Sequence, residues 1–136
     1  MHGLLVTIGR VLLGAFFLVS GLLKIKGGVD AGGLTQLAGY ISSRIPVVLQ
    51  PQMLAYAVIA FEVIGGLIII IGKFTTPVAL LLAAYCLAIA VLFHNFWAVA
   101  PEQFQAQLNN FLKTMALAGA FLVLAGEGIR VRMNNV

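Results

Sequence analysis

Four long apolar runs constrain this chain more than any other feature. They cover residues 4–23, 53–71, 77–97 and 111–125. A run of about 17–25 residues is what a helix needs to cross a hydrocarbon core of ~30 Å. In lipid, backbone N–H and C=O groups find no water, so only helices and closed barrels span it. The strict alternation of a barrel strand is missing. The sequence therefore predicts an all-α, polytopic membrane protein: a four-transmembrane-helix bundle forming a single domain over 1–136. Only 9% of the residues are charged and 62% are hydrophobic. A soluble fold of this size would expose much of that apolar surface and aggregate, so the bilayer is the first partner.

The punctuation between the runs agrees. Gly27-Gly28 is read as the end of the first helix, with Gly32-Gly33 in the loop that follows. Pro51 and Pro77 suit first helical turns. Gly72-Lys73 closes the second run, and so short a link makes the second and third helices antiparallel neighbours. The last run is short, which predicts a helix beginning a few residues before 111. In the first loop, Leu34, Leu37, Ala38 and Ile41 fall at helical spacing beside Thr35, Gln36, Ser42 and Ser43. That pattern predicts a short interfacial helix. Phe96, Trp97 and Phe104 mark the opposite loop as interfacial.

The net charge is +4, yet the basic residues are scattered at the ends of the runs or inside them. No basic face interleaved with aromatics appears, which argues against nucleic acid. The single Cys86 sits in an apolar run and has no partner for a disulfide or a C-x-x-C pair. It is expected to stay protonated and inert. No His, Cys or carboxylate spacing suits a metal, and no phosphate loop, dinucleotide fingerprint or nucleophile elbow occurs. No self-contained catalytic motif is present.

The ionisable residues inside the runs carry the functional interest, because such groups are costly in lipid and usually face the protein interior. They are Arg10, Lys24, Glu62, His94 and Lys113, the candidate ligand-binding residues. Arg10, Gly14, Phe17, Gly21 and Lys24 form one helical stripe. Glu62 shares a face with Gly65, Gly66 and Ile69; His94 with Ala90, Ala83 and Ala79; Lys113 with Ala116 and Ala120. Small residues let helices approach closely. The four faces are expected to meet around a polar cavity, with Lys24, His94 and Lys113 at its mouth. Blander readings stand beside this one. Lys24 and Lys113 suit snorkelling to the headgroups, His94 suits an interfacial position, and Arg10 with Glu62 suits a structural ion pair. By depth, Arg10 lies roughly 9 Å and Glu62 roughly 14 Å in from opposite sides, so a long Arg side chain spans most of the gap. The two flanks carry four basic residues each; with Lys24 and Lys113 turned inward, the count places both termini in the cytoplasm.

The chain resembles the DoxX family of small bacterial membrane proteins over nearly its whole length. The marks are Arg10 with Leu13-Gly14, Ser20-Gly21-Leu22-Leu23-Lys24, and Glu62 with Gly65-Gly66-Leu67 and Gly72. Phe74-Thr75, Ala79, Tyr85 and Phe93-His94-Asn95-Phe96-Trp97 follow, then Asn110-Phe111-Leu112-Lys113 with Ala118-Gly119-Ala120. Thr76 and Thr114 depart from the family pattern, where many relatives have a basic residue and Asn. The resemblance implies four helices in the bacterial cytoplasmic membrane and a link to quinone redox chemistry. Three functions follow from it and from the polar groups. One is a redox-associated subunit binding a quinone or similar lipophilic ring among Phe17, Phe61, Tyr85 and Phe93, with electrons from a redox protein partner. Another is a binding or transport protein for a small solute. The third is a ligand-free scaffold subunit or homo-oligomer.

Overall fold

The computed structural model describes residues 1–30, 33–47 and 49–134, with side chains outside 26–30 and 33–35. The described residues are helical apart from short turns. Four helices are long and apolar enough to cross a membrane: His2–Ile25, Pro51–Ile71, Thr75–Ala98 and Pro101–Asn134. Large apolar side chains stand bare on them, such as Ile64 at 57% and Val123 at 75% exposure. Water would not tolerate such a surface, whereas lipid tails cover it. This is a polytopic, all-α membrane protein.

Two compact units make up the chain, Met1–Lys73 and Phe74–Val136. The first contains α1 (His2–Asp30), α2 (Gly33–Arg44) and α3 (Pro51–Ile71). Helix α1 runs through Gly27-Gly28 to Asp30 rather than ending at the glycines. A glycine pair costs helix propensity but does not block the backbone. Gly32 lies outside the described residues, and Gly33 opens α2. The short helix expected in the first loop is present as α2, which packs on α1 and α3. Ala38 and Ile41 are its buried face; the Leu34 and Thr35 side chains lie outside the described residues.

Helix α3 starts with Pro51 in its first turn, where the missing N–H costs nothing. It stops at Gly72, which adopts φ +86° and returns its N–H to the Ile68 carbonyl at 3.0 Å. That left-handed cap is glycine's natural conformation. Ala55, Ile59, Glu62, Gly65, Gly66 and Ile69 form one buried stripe.

The second unit contains α4 (Thr75–Phe93), a 3-10 turn (Phe96–Ala98) and α5 (Pro101–Asn134). Helices α4 and α5 pack on each other. Their antiparallel register is fixed at one end by Thr76 against Gly128 and at the other by His94 against Gln107. The buried face of α4 is Ala79, Leu82, Ala83, Cys86, Ala90 and Phe93. Helix α5 begins ten residues before the apolar run at 111 and reaches 34 residues, about 51 Å at 1.5 Å each. Phe96 stacks edge-on against Trp97, Phe104 and Phe111 with centroids 5.1–5.7 Å apart. This aromatic cluster closes the α4–α5 turn.

Candidate functional site

The site in the first unit is built by the packing of α1 on α3. A Cβ added to Gly14 would lie 2.7 Å from the Gly66 carbonyl oxygen. One added to Gly66 would lie 2.6 Å from the Gly14 carbonyl oxygen and from the Leu18 nitrogen. Backbone thus meets backbone, which only glycine permits. A Cβ added to Gly21 would lie 2.7 Å from the Val63 Cγ2 and 3.2 Å from the Glu62 Cβ. Along this seam residue numbers rise on α1 as they fall on α3, so the helices are antiparallel.

That register brings Lys24 to Glu62. Side chains lean toward the N-terminus of their own helix. Lys24 therefore leans back along α1 while Glu62 leans toward the start of α3, and the two meet. The Lys24 Nζ donates to Glu62 Oε2 at 2.6 Å and to Ser20 Oγ at 2.8 Å. Ser20 Oγ donates to the same Glu62 oxygen at 3.1 Å. Glu62 is 3% exposed, and the Lys24 side chain 31%. The result is a buried carboxylate, in mid-span, tied to an ammonium that is partly open.

Arg10 has a different seat. Its Nη1 donates to the carbonyls of Ile69 and Ile70, both at 3.0 Å. The last four carbonyls of a helix lack intrahelical partners, and the negative end of the helix dipole favours a cation there. Arg10 is thus a side-chain cap on α3. Its guanidinium also packs against Gly72, where a Cβ would collide with it. This corrects the pairing of Arg10 with Glu62 expected from the sequence. Ile69 is seven residues beyond Glu62 on α3, ~10 Å along the axis. Unpartnered carbonyls lie directly beside the guanidinium, and Lys24 meets the carboxylate.

A profile for DoxX, described as "DoxX", matches residues 5–95. The chain belongs to the DoxX family. It is similar to two Escherichia coli (strain K12) proteins. Inner membrane protein YphA is 30% identical over 124 residues, covering 91% of this chain and 83% of YphA. Inner membrane protein YqjF is 29% identical over 123 residues, covering 90% and 83%. No solved structure matches at a significant level.

In this DoxX chain the remaining candidates, His94 and Lys113, belong to the second unit. His94 caps α4, its N–H returning to the Ala90 carbonyl at 3.2 Å. Its Nδ1 lies 3.1 Å from the side-chain oxygen of Gln107, so Nδ1 is the donor in that contact. Lys113 is exposed. The buried face of α5 is Ala118, Phe121, Leu124 and Ala125, rather than the expected Ala116 and Ala120 beneath Lys113. Sequence reasoning missed Ser20 and Gln107. Ser20 is four residues before Lys24, the spacing at which helical side chains touch. Gln107 lies on the stripe of Phe111, Thr114, Ala118, Phe121 and Ala125 that faces α4.

Proposed function

We propose that this DoxX protein is a redox-associated subunit of the bacterial inner membrane. In this reading it binds a quinone or similar lipophilic ring at Lys24 and Glu62. The observation that carries the reading is the carboxylate of Glu62, buried at mid-span and joined to a partly open ammonium. Groups of this kind are expensive in lipid and mark ligand or proton sites. The donor set fits the chemistry: an ammonium N–H suits a ring oxygen, and a buried carboxylate suits a hydroxyl. A bound quinone supplies reversible uptake of two electrons and two protons. Lys24 orients the ring oxygen through its Nζ, and Glu62 holds or releases a proton at its carboxyl oxygens. Phe17, buried on the Lys24 stripe of α1, offers an apolar wall. The electron donor is a partner protein.

The E. coli relatives, both inner membrane proteins by name, support the inner membrane as location, and the charge count supports cytoplasmic termini. Purified protein titrated with a short-tailed benzoquinone and examined by native mass spectrometry tests the binding. One quinone per chain is expected, lost in Glu62→Gln and Lys24→Met. A wild-type protein that takes up none overturns the reading. For topology, single cysteines replacing Gln50 and Asn134 in a Cys86→Ser background are expected to label from opposite faces. Labelling from one face defeats the assignment.

A further inference from the structure

We infer that Ser20 is a positioning residue: it holds the Lys24 ammonium turned into the span, where the cancelled charges of Lys24 and Glu62 favour an uncharged carbonyl ligand over an anionic one. The ligand half of this rests on the reading that the ring binds at Lys24; the positioning half does not.

Lys24 directly follows the apolar run of residues 4–23. A lysine at such a position ordinarily extends outward to the headgroups. Here its Nζ turns back one helical turn, to the Ser20 hydroxyl at 2.8 Å. Ser20 both accepts from Lys24 and donates to Glu62 Oε2, the oxygen that Lys24 also reaches. Three groups and three hydrogen bonds close a triangle. Without the hydroxyl, the inward ammonium keeps a single acceptor, and the outward conformation with water and phosphate around it gains ground.

The triangle also sets what the site accepts. An ammonium has three N–H groups. Two of them go to Ser20 and Glu62, and among the described residues Lys24 makes no third hydrogen bond. The side chain is partly open, so the third N–H is available to an incoming acceptor. A carboxylate ligand approaching it meets the Glu62 carboxylate 2.6 Å behind, and carries its own charge into a medium that penalises it. A carbonyl oxygen meets neither obstacle.

The test uses purified wild type, Ser20→Ala, Ser20→Cys and Ser20→Thr in lipid nanodiscs, with two readouts. The first is acylation of Lys24 by a water-soluble sulfosuccinimidyl ester, mapped by peptide mass spectrometry, with exposed Lys73 as internal reference. Ser20→Ala is expected to speed Lys24 labelling ~tenfold, the ratio that 1.4 kcal/mol gives. Ser20→Cys, a poor hydrogen-bonding isostere, follows Ala and keeps the test open if Ala fails to fold; Ser20→Thr restores the wild-type rate. Unchanged labelling in Ala and Cys overturns the positioning role. The second readout is the affinity of a neutral short-tailed benzoquinone against a carboxylate-bearing quinone of similar size. A preference for the neutral probe of ~tenfold or more is expected in wild type, narrowing in Ser20→Ala. Equal affinities in wild type overturn the charge selection while leaving the quinone site standing. If neither probe binds wild type, the proposed function and the selectivity fall together, and labelling still decides the role of Ser20.

Discussion

Helix α1 carries two cations on one stripe, Arg10 and Lys24, fourteen residues apart. The same neighbour, α3, receives both, and they end in unlike seats. Arg10 spends its charge on the carbonyls of Ile69 and Ile70, acceptors that every helix end provides. Lys24 spends its charge on a carboxylate that α3 had to place in mid-span. The first seat completes the backbone of α3 and needs no ligand to explain it. The second puts two ionised groups where an apolar pair would pack at lower cost. A charge that satisfies a helix end is architecture; the Lys24–Glu62 pair has no helix end to satisfy.

The largest effect is expected where both seats depend on one surface. Gly66→Leu drives a side chain into the backbone of Gly14 and Leu18. It should abolish the α1–α3 contact, seen as loss of monodisperse protein on size exclusion and of the cooperative melt. Gly119→Ala, with nothing within 4 Å of the new Cβ, should leave the melt unchanged.

Next comes the pair itself. Glu62→Gln or Lys24→Met leaves the other member bonded to Ser20 but without its opposite charge, a loss of at most about 3–5 kcal/mol for a buried pair. The double variant should lose less than the sum. Additive losses in the cycle would show that the two groups do not depend on each other.

A smaller loss is expected at the other seat. Arg10→Gln removes a charged donor from two carbonyls, about 1.5–3 kcal/mol. Combined with Glu62→Gln it should be additive, because the sites share no partner and lie ~10 Å apart along α3. Sub-additivity would return Arg10 to Glu62 and erase the contrast between the seats. The smallest effect is expected at Cys86, buried in α4. It should react slowly with a water-soluble maleimide in folded protein and promptly after denaturation; fast reaction in the folded state would open the apolar face of α4 to water.

The four spans were legible because hydropathy reports directly on lipid. The Glu62 stripe on α3 was legible because Gly65, Gly66 and Ile69 recur at helical spacing and are buried together. The partner of Arg10 was not, since a backbone carbonyl leaves no mark in sequence; every residue has one. Nor was the partner of Glu62, which depends on the lean of side chains across an antiparallel seam. Helix α5 offered two small-residue faces, and Phe121 on the Ala118 face, wholly buried, marks which one packs. The last helix begins at Pro101, earlier than the few residues before 111 expected, because Glu, Gln, Ala and Leu are sound helix formers and Pro101 starts the helix without cost.

Helix α5 is longer than a bilayer needs, yet its apolar stretch is shorter. The run at 111–125 spans ~22 Å, against ~30 Å of hydrocarbon. Amides precede it and Glu127, Arg130 and Arg132 follow it. Neither flank enters lipid readily, so the membrane must accommodate the helix. A span shorter than the hydrocarbon is met by local thinning or by outward reach of flanking cations such as Arg130 and Arg132, at fractions of a kcal/mol per Å of mismatch. A helix with so short an apolar stretch is expected to favour a thin bilayer, so the melting temperature should be higher in short-chain than in long-chain phosphatidylcholine.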